Sequence, residues 1–206
     1  MTLTTNQPKQ KQKLTLAQFV EQLPDEEGPY ELVNGEIMRK LATRRHETIA
    51  EFIADSFKAE GRRTQQDDWV CGRIVIATET KDGIEQGRNP DVSVVDRKIW
   101  EANPSAYSAL FDPLQIAVEV VSTNWEDDYV DKLDEYQRLG IAEYWIVDYL
   151  AIASRSYLGN PKVPTVFVYL LDDKRIYQAK AYQEKEIIIS KTFPELKLTT
   201  EQILAV

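Results

Sequence analysis

Two carboxylates stand in apolar surroundings where a pair of them could bind a divalent cation. Glu119 interrupts the run 116–121, which is apolar enough for a strand buried on both faces. Asp91 follows Pro90 and begins a second strand-like run. Because burying an isolated carboxylate is costly, Glu119 needs a paired cation, a proton or a bound metal. Carboxylates on neighbouring strands offer the hard oxygen ligands suited to Mg²⁺ and Mn²⁺.

Lys132 could complete this pair from a helix predicted over residues 125–139. Tyr129, Leu133 and Tyr136 form its apolar stripe, with the i, i+4, i+7 spacing of one helix face. At about 100° per residue, Lys132 lies roughly 60° from Tyr129 and can reach the sheet. The residues predicted to point away from the sheet are Asp131, Asp134, Glu135 and Arg138.

Each member of this trio also has an ordinary structural interpretation. Glu119 could belong to a buried ion pair without chemistry. Asp91 could be a turn residue that accepts local backbone hydrogen bonds. Lys132 could pair with Asp128, four residues earlier on the same helix. The residue types alone leave both interpretations open.

Strands and helices alternate along the chain in the manner of an α/β protein. A short helix is predicted from the N-cap Thr15 to Leu23, and a hairpin turns at Asn34-Gly35 between 30–33 and 36–38. A longer helix begins at Arg44 and is expected to stop at Gly61. Further strands are predicted at 63–70, 73–78, 91–95, 115–121 and 143–148, with a loop at 81–89. The last part carries β-like runs at 152–157, 165–170, 176–181 and 186–190 and a helix near 200–204.

Length and composition favour one soluble domain. The 206 residues suffice for a single core over 14–206, and the polar residues 1–13 are expected to form a flexible arm. The absence of a long apolar run predicts a cytoplasmic protein with no membrane partner. One Cys and one His cannot assemble a Cys/His zinc site, so any metal must bind to oxygen.

The net charge of −9 opposes binding to a polyanion such as DNA. Two basic clusters could offset it locally by forming a positive patch on an acidic body. They comprise Arg39, Lys40, Arg44 and Arg45, and Lys58, Arg62 and Arg63. The sequence does not say whether these clusters converge.

Several short motifs together resemble the Uma-two family of restriction endonuclease-like proteins, which belongs to the PD-(D/E)XK nuclease superfamily. They are YELVNGE at 30–36, RNPDV at 88–92, VEVVS at 118–122, DYVDK at 128–132, Tyr136 and EYWIVD at 143–148. The resemblance covers roughly residues 16–148. It implies an α/β fold with a mixed β-sheet core flanked by helices, here extended by C-terminal strands.

The resemblance also implies a metal-dependent DNA endonuclease, active as a homodimer. Asp91, Glu119 and the main-chain carbonyl of Val120 would hold Mg²⁺ or Mn²⁺. The superfamily usually has its lysine two residues after the glutamate, where Val121 stands here. This departure implies that the lysine has moved to the next helix, where the angular argument places Lys132.

Three further residues could add to the site. Glu31 matches an acidic position near the start of the family pattern, although a hairpin glutamate is more often solvated. His46 could line the cleft or be a packed or capping histidine, and Ser122 could contact a phosphate or cap a helix. Two other functions remain open, a non-catalytic binding or assembly module and a metal-dependent phosphohydrolase acting on small nucleotides.

Overall fold

The computed structural model describes residues 13–23, 28–72, 74–104 and 109–206. Its strands are β1 (Tyr30–Val33), β2 (Glu36–Arg39), β3 (Asp68–Cys71), β4 (Val75–Glu79), β5 (Glu85–Arg88), β6 (Val92–Asp96), β7 (Ala109–Leu110), β8 (Ile116–Val120), β9 (Glu143–Asp148), β10 (Thr165–Leu171) and β11 (Tyr177–Tyr182). Its helices are α1 (Leu16–Glu21), α2 (Arg44–Thr64), α3 (Arg97–Glu101), α4 (Lys132–Leu139), α5 (Arg155–Leu158) and α6 (Thr200–Leu204). The predicted arm lies outside the described residues, except for Lys13.

The strands form two sheets. The larger has the order β11-β10-β9-β8-β6-β3, and the smaller has the order β2-β1-β5-β4-β7. β8 pairs with β6 in antiparallel and with β9 in parallel, so the larger sheet is mixed. Helix α2 packs on one face of β8, and α4 packs on the other. The predicted mixed α/β fold with additional C-terminal strands is confirmed.

Local signals placed the start of the first helix and the first hairpin turn correctly, although α1 ends at Glu21 and not at the predicted Leu23. The Thr15 hydroxyl accepts a hydrogen bond from Gln18 N while the Gln18 side chain accepts one from Thr15 N, and this capping box starts α1. Asn34 and Gly35 have φ angles of 52° and 81°, which makes the tight turn that joins β1 to β2. No described helix is long and apolar enough to cross a lipid bilayer.

The predicted end of α2 at Gly61 is wrong. The helix continues to Thr64, and Gln65 ends it in the left-handed region with φ 57°. An internal glycine costs a helix about 1 kcal/mol, which packing of the buried face of α2 outweighs. The strand predicted over 63–70 therefore begins later, at Asp68.

The predicted loop at 81–89 contains a strand that the sequence hid. β5 lies between β1 and β4, although its sequence is Glu-Gln-Gly-Arg. The polar side chains of Gln86 and Arg88 are buried because each has a partner. The side-chain carbonyl of Gln86 accepts a hydrogen bond from Asn34 N at 2.8 Å, and Arg88 pairs with Glu135.

Two of the C-terminal β-like runs are not strands. Residues 152–157 turn into α5 because the Asp148 carboxylate accepts hydrogen bonds from the amides of Ile152 and Ala153. Residues 186–190 make an isolated bridge, Ile187 to Thr199, rather than a strand. There the Glu143 carboxylate accepts hydrogen bonds from Ser190 Oγ and Thr192 N. In residues 152–157 a side chain thus replaces the neighbouring strand as acceptor, whereas in residues 186–190 Ile188 N still donates to Leu198 O.

The helix predicted over 125–139 is present with an irregularity. Residues Asp127–Asp131 form a π-helical turn that continues into α4, and Gly140, with φ 97°, ends the helix as predicted. The prediction that Glu135 points away from the sheets is wrong, because its side chain is buried. Helix α4 lies between the two sheets and buries a second face against Thr78 and Arg88 of the smaller one.

Candidate active site

The backbone of β6 and β8 brings Asp91 and Glu119 together. The two strands pair with Val92 opposite Val118, so Asp91, one residue before β6, lies across from Glu119. The Asp91 Oδ2 atom accepts a hydrogen bond from Val120 N at 2.7 Å, which fixes the aspartate against the end of β8. The sheet therefore positions both carboxylates.

The ammonium group of Lys40 lies between these carboxylates. Its Nζ is 3.0 Å from Asp91 Oδ1, 3.2 Å from Glu119 Oε2 and 2.9 Å from the carbonyl oxygen of Asn89. Glu31 Oε1 lies at 3.8 Å from the same nitrogen. We call this group of oxygen atoms around Lys40 Nζ the cation site.

Lys132 reaches the same cluster from the start of α4. Its Nζ lies 3.0 Å from Glu119 Oε2 and 3.0 Å from Asp128 Oδ1. Both sequence-based interpretations of Lys132 thus describe contacts that it makes. The Lys132 side chain is buried, so it shields the cation site from solvent on the side of α4.

Glu31 enters the site from the smaller sheet. The carboxylate is buried rather than solvated, and its Oε1 accepts a hydrogen bond from Asn89 N at 3.1 Å. Lys132 Nζ lies at 3.6 Å from Oε1, and Arg88 Nη1 lies at 3.6 Å from Oε2. The site therefore sits at a seam, where Glu31 of one sheet meets Asp91 and Glu119 of the other.

The remaining predicted residues lie around this centre. His46, in the first turn of α2, is buried with Nε2 3.0 Å from Asp91 Oδ2, although not aligned for a hydrogen bond. Its main-chain nitrogen also donates to the N-cap Thr43. Ser122 is exposed and lines the cleft above the site, and Val120 lines it as well.

Buried side chains fix the carboxylates of Glu119 and Glu135 by hydrogen bonds. The Tyr136 hydroxyl donates a hydrogen bond to Glu119 Oε1 at 2.7 Å. The Arg88 guanidinium binds both carboxylate oxygens of Glu135 at 2.8 Å, and its Nη1 lies 3.1 Å from Asp127 Oδ1. The Thr78 hydroxyl also donates to Glu135, at 2.7 Å. This network ties the smaller sheet to α4 beside the site.

Burial and neighbouring charge act in opposite directions on these groups. Burial opposes ionisation of Asp91, but Lys40 and His46 outweigh it and hold the pKa of Asp91 well below its usual range. Burial likewise opposes ionisation of Glu31, whose pKa is lowered by the ammonium groups of Lys132 and Lys40. Both carboxylates are therefore ionised at neutral pH.

The pKa values of three other groups in the site are raised. Burial raises the pKa of Asp128 to about 7, even though Lys132 lies beside it, and it also raises the pKa of Glu119. Burial disfavours the charged imidazole of His46, but the Asp91 carboxylate raises the pKa of His46 above its ordinary value. The site thus holds carboxylates that would gain from a further cation.

A cleft of about 590 Å³ opens over the site. Glu119, Lys40 and Lys132 line it, and acidic residues such as Asp127 and Asp131 lie on one side. Asp91 lines a separate cavity of about 370 Å³ on the side of α2. Lys40 therefore lies between Asp91 and the main cleft.

The donor set fits a divalent metal ion in its chemistry. Among the described residues, no group of three or more His, Cys, Asp or Glu side chains is arranged to hold a metal. Mg²⁺, however, is commonly bound through one or two carboxylates with water completing the set. The Lys40 ammonium contacts both Asp91 and Glu119 from the position between them, where such a cation would have to lie.

Lys40 was the main participant that the sequence did not reveal as a site residue. It appears there only as part of a basic cluster, and it lies on the connection between β2 and α2. The residues that its ammonium hydrogen-bonds are 49 to 79 positions away along the chain, so no local periodicity links them. The polar roles of Tyr136 and Arg88 were also missed, although both lie in the quoted motifs.

The fold is that of a mixed α/β protein with two sheets flanked by helices. The model of the Uma2 family, described as "Putative restriction endonuclease", matches residues 16–201. The chain belongs to this family.

A crystal structure supports the assignment of the fold. It is that of a "putative nuclease belonging to DUF820" from Anabaena variabilis, with a TM-score of 0.68 and 19% sequence identity. The match covers 93% of this chain and 98% of the other. None of the curated proteins compared with the chain matches it.

Proposed function

We propose that the protein is a metal-dependent nuclease that hydrolyses phosphodiester bonds in DNA. The observation that carries this proposal is the convergence of Asp91 with Glu119 and Lys132, two residues that line a cleft, and the Lys40 ammonium lies between the two carboxylates. Membership of a family described as restriction endonucleases supports the same reaction class.

Each residue of the site would have a separate role in the reaction. Asp91, Glu119 and the carbonyl oxygen of Val120 would hold the metal, which when bound polarises the phosphate and lowers the pKa of its water. Lys132 keeps its charge, because Glu119 raises the pKa of its ammonium well above the ordinary value despite burial. From that position Lys132 balances negative charge that builds on the phosphate in the transition state. Tyr136 fixes the Glu119 carboxylate.

A second candidate substrate is favoured by the acidic side of the cleft. Asp127, Asp131 and Glu36 line it, and the chain carries a net charge of −9. This charge disfavours a long polyanion more than a small one, since the electrostatic part of DNA binding grows with the number of phosphate contacts. A phosphohydrolase acting on small nucleotides would keep the same metal ligands.

The test combines metal binding with cleavage. Calorimetry with Mn²⁺ should show binding by the wild type and its loss in Asp91→Asn and Glu119→Gln, whereas Lys132→Met should still bind. Nicking of supercoiled plasmid should fall by about 100-fold or more in all three, since electrostatic groups in active sites contribute such factors.

Glu143→Gln is the matched control. Glu143 is a buried carboxylate outside the cation site that binds Ser190 Oγ and main-chain amides, so this variant should keep wild-type metal affinity. Cleavage of a dinucleotide without nicking of plasmid would select the small-substrate candidate. Wild-type cleavage that persists in Asp91→Asn and Glu119→Gln would refute the site assignment.

A further inference from the structure

The contacts of Lys40 are those of a bound cation rather than of a surface lysine. Its nitrogen has three oxygen atoms within 3.2 Å, from Asn89, Asp91 and Glu119. These oxygens come from a main-chain carbonyl and two carboxylates, which is the donor chemistry that Mg²⁺ and Mn²⁺ use.

The surroundings of Lys40 allow its side chain to leave. The residue follows the last residue of β2, and its main-chain nitrogen donates to Pro29 O at 3.0 Å, so the backbone is anchored without the side chain. The side chain is 20% exposed, whereas those of Lys132 and Glu119 are 3% and 1% exposed. Rotation into the cleft it lines would leave the strands in place.

The surrounding carboxylates favour a divalent cation over an ammonium at the position of Lys40 Nζ. Five carboxylates approach the ammonium groups of Lys40 and Lys132 within 4 Å: Glu31, Asp91, Glu119, Asp127 and Asp128. Arg88 also approaches Glu31 and Asp127, and His46 approaches Asp91. The carboxylates still outnumber the permanently charged Lys and Arg side chains, so a divalent ion in place of the Lys40 ammonium would compensate them more fully. Two cations cannot share the space between Asp91 Oδ1 and Glu119 Oε2.

We propose that Lys40 is an internal competitor of the metal, and that its ammonium must leave the cation site before a divalent ion binds there. The proposal rests on the proposed function, because it concerns the cation of that site. It makes Lys40 a determinant of metal affinity. Lys40 also separates Asp91 from the cleft, so its departure would open the aspartate to an ion entering from that side.

The test measures metal binding without substrate. Calorimetry with Mn²⁺ alone should give an affinity for Lys40→Met that is about tenfold tighter than for the wild type, or more. Near a protein surface, two unit charges about 4 Å apart interact strongly enough for such a factor. Lys162→Met is the matched control, because the Lys162 ammonium is held by the carbonyls of Ile152 and Ala153 and not by carboxylates.

A second variant guards against a folding defect. Lys40→Gln keeps a polar side chain of similar length, and Mn²⁺ should raise its Tm more than it raises the wild-type Tm. Equal or weaker Mn²⁺ affinity in both Lys40 variants, with binding retained by the wild type, would overturn the proposal and leave the nuclease assignment intact. Absence of binding in the wild type and in both variants would overturn the two together.

Discussion

The buried pair of Arg88 and Glu135 offers the sharpest test of how the site is supported. Arg88 is 2% exposed and Glu135 is 3% exposed, and their two hydrogen bonds are both 2.8 Å long. Arg88 lies on β5 of the smaller sheet, whereas Glu135 lies on α4. Arg88→Met would remove the guanidinium and leave the Glu135 carboxylate buried beside the Thr78 hydroxyl.

The expected cost can be worked from the burial of the partner. Removing one member of a buried ion pair costs about 3–5 kcal/mol, because the other charge remains without compensation. Glu31 and Asp127 also lose a cation, at 3.6 Å and 3.1 Å, so the value should not fall below this range. The double variant Arg88→Met with Glu135→Leu should recover part of the loss, since it removes the unpaired Glu135 charge but does not restore the cation beside Glu31 and Asp127.

Urea unfolding followed by circular dichroism measures these free energies. Arg97→Met is the control, because Arg97 pairs with Asp67 and Glu101 at the surface, where such pairs are worth about 0–1 kcal/mol. A loss below about 1 kcal/mol in Arg88→Met, or no recovery in the double variant, would refute the reasoning.

Two further predictions concern the groups around Glu119. Tyr136→Phe should lower the free energy of unfolding by about 1.5–3 kcal/mol, since it removes a buried hydrogen bond to a carboxylate. Urea unfolding at pH 7 checks this value, and an unchanged midpoint would contradict it. Asp128→Asn tests pH dependence: the pKa of Asp128 is raised from 3.8 to about 7, so the folded protein keeps a proton that the unfolded chain releases. The stabilisation from this proton is present below pH 4 and is lost as the pH rises to about 7, at up to about 1.4 kcal/mol per pH unit. Asp128→Asn should therefore show a shallower fall over this range, and identical slopes in both proteins would exclude Asp128 as the source.

The sequence predicted which strand residues, Asp91 and Glu119, come together in the candidate site. Glu119 stood out because a charge interrupts an apolar run, and Asp91 because it begins one. The helical angle of Lys132 from Tyr129 gave its direction even though the π-helical turn departs from regular spacing. These signals come from short stretches of sequence. The register of β6 and β8 brings the two carboxylates together in space.

The remaining residues depended on contacts that local patterns do not encode. Lys40 meets Glu119 across 79 positions of sequence. β5 was hidden because its burial rests on partners for polar side chains rather than on apolar alternation. Glu135 was placed on the solvent side because a single buried face was assumed for a helix that has two. β5 and Glu135 thus share one cause, the packing of the smaller sheet against α4.

A metal ion bound at the proposed site would couple cation binding to the docking of one sheet on the other, because the site lies at the seam between them. Glu31 belongs to the smaller sheet, and Asp91 and Glu119 belong to the larger one. Glu31 lies 3.8 Å from the cation position and is not one of the proposed metal ligands, but its charge faces that position. An ion that binds more tightly when Glu31 is docked there would stabilise the docked arrangement by mass action, by up to about 2.7 kcal/mol at a hundred times its Kd. Opening of the seam would release the ion before the rest of the protein unfolds. The ionic composition of the surroundings would then set how often β1 and β5 open to hydrogen exchange.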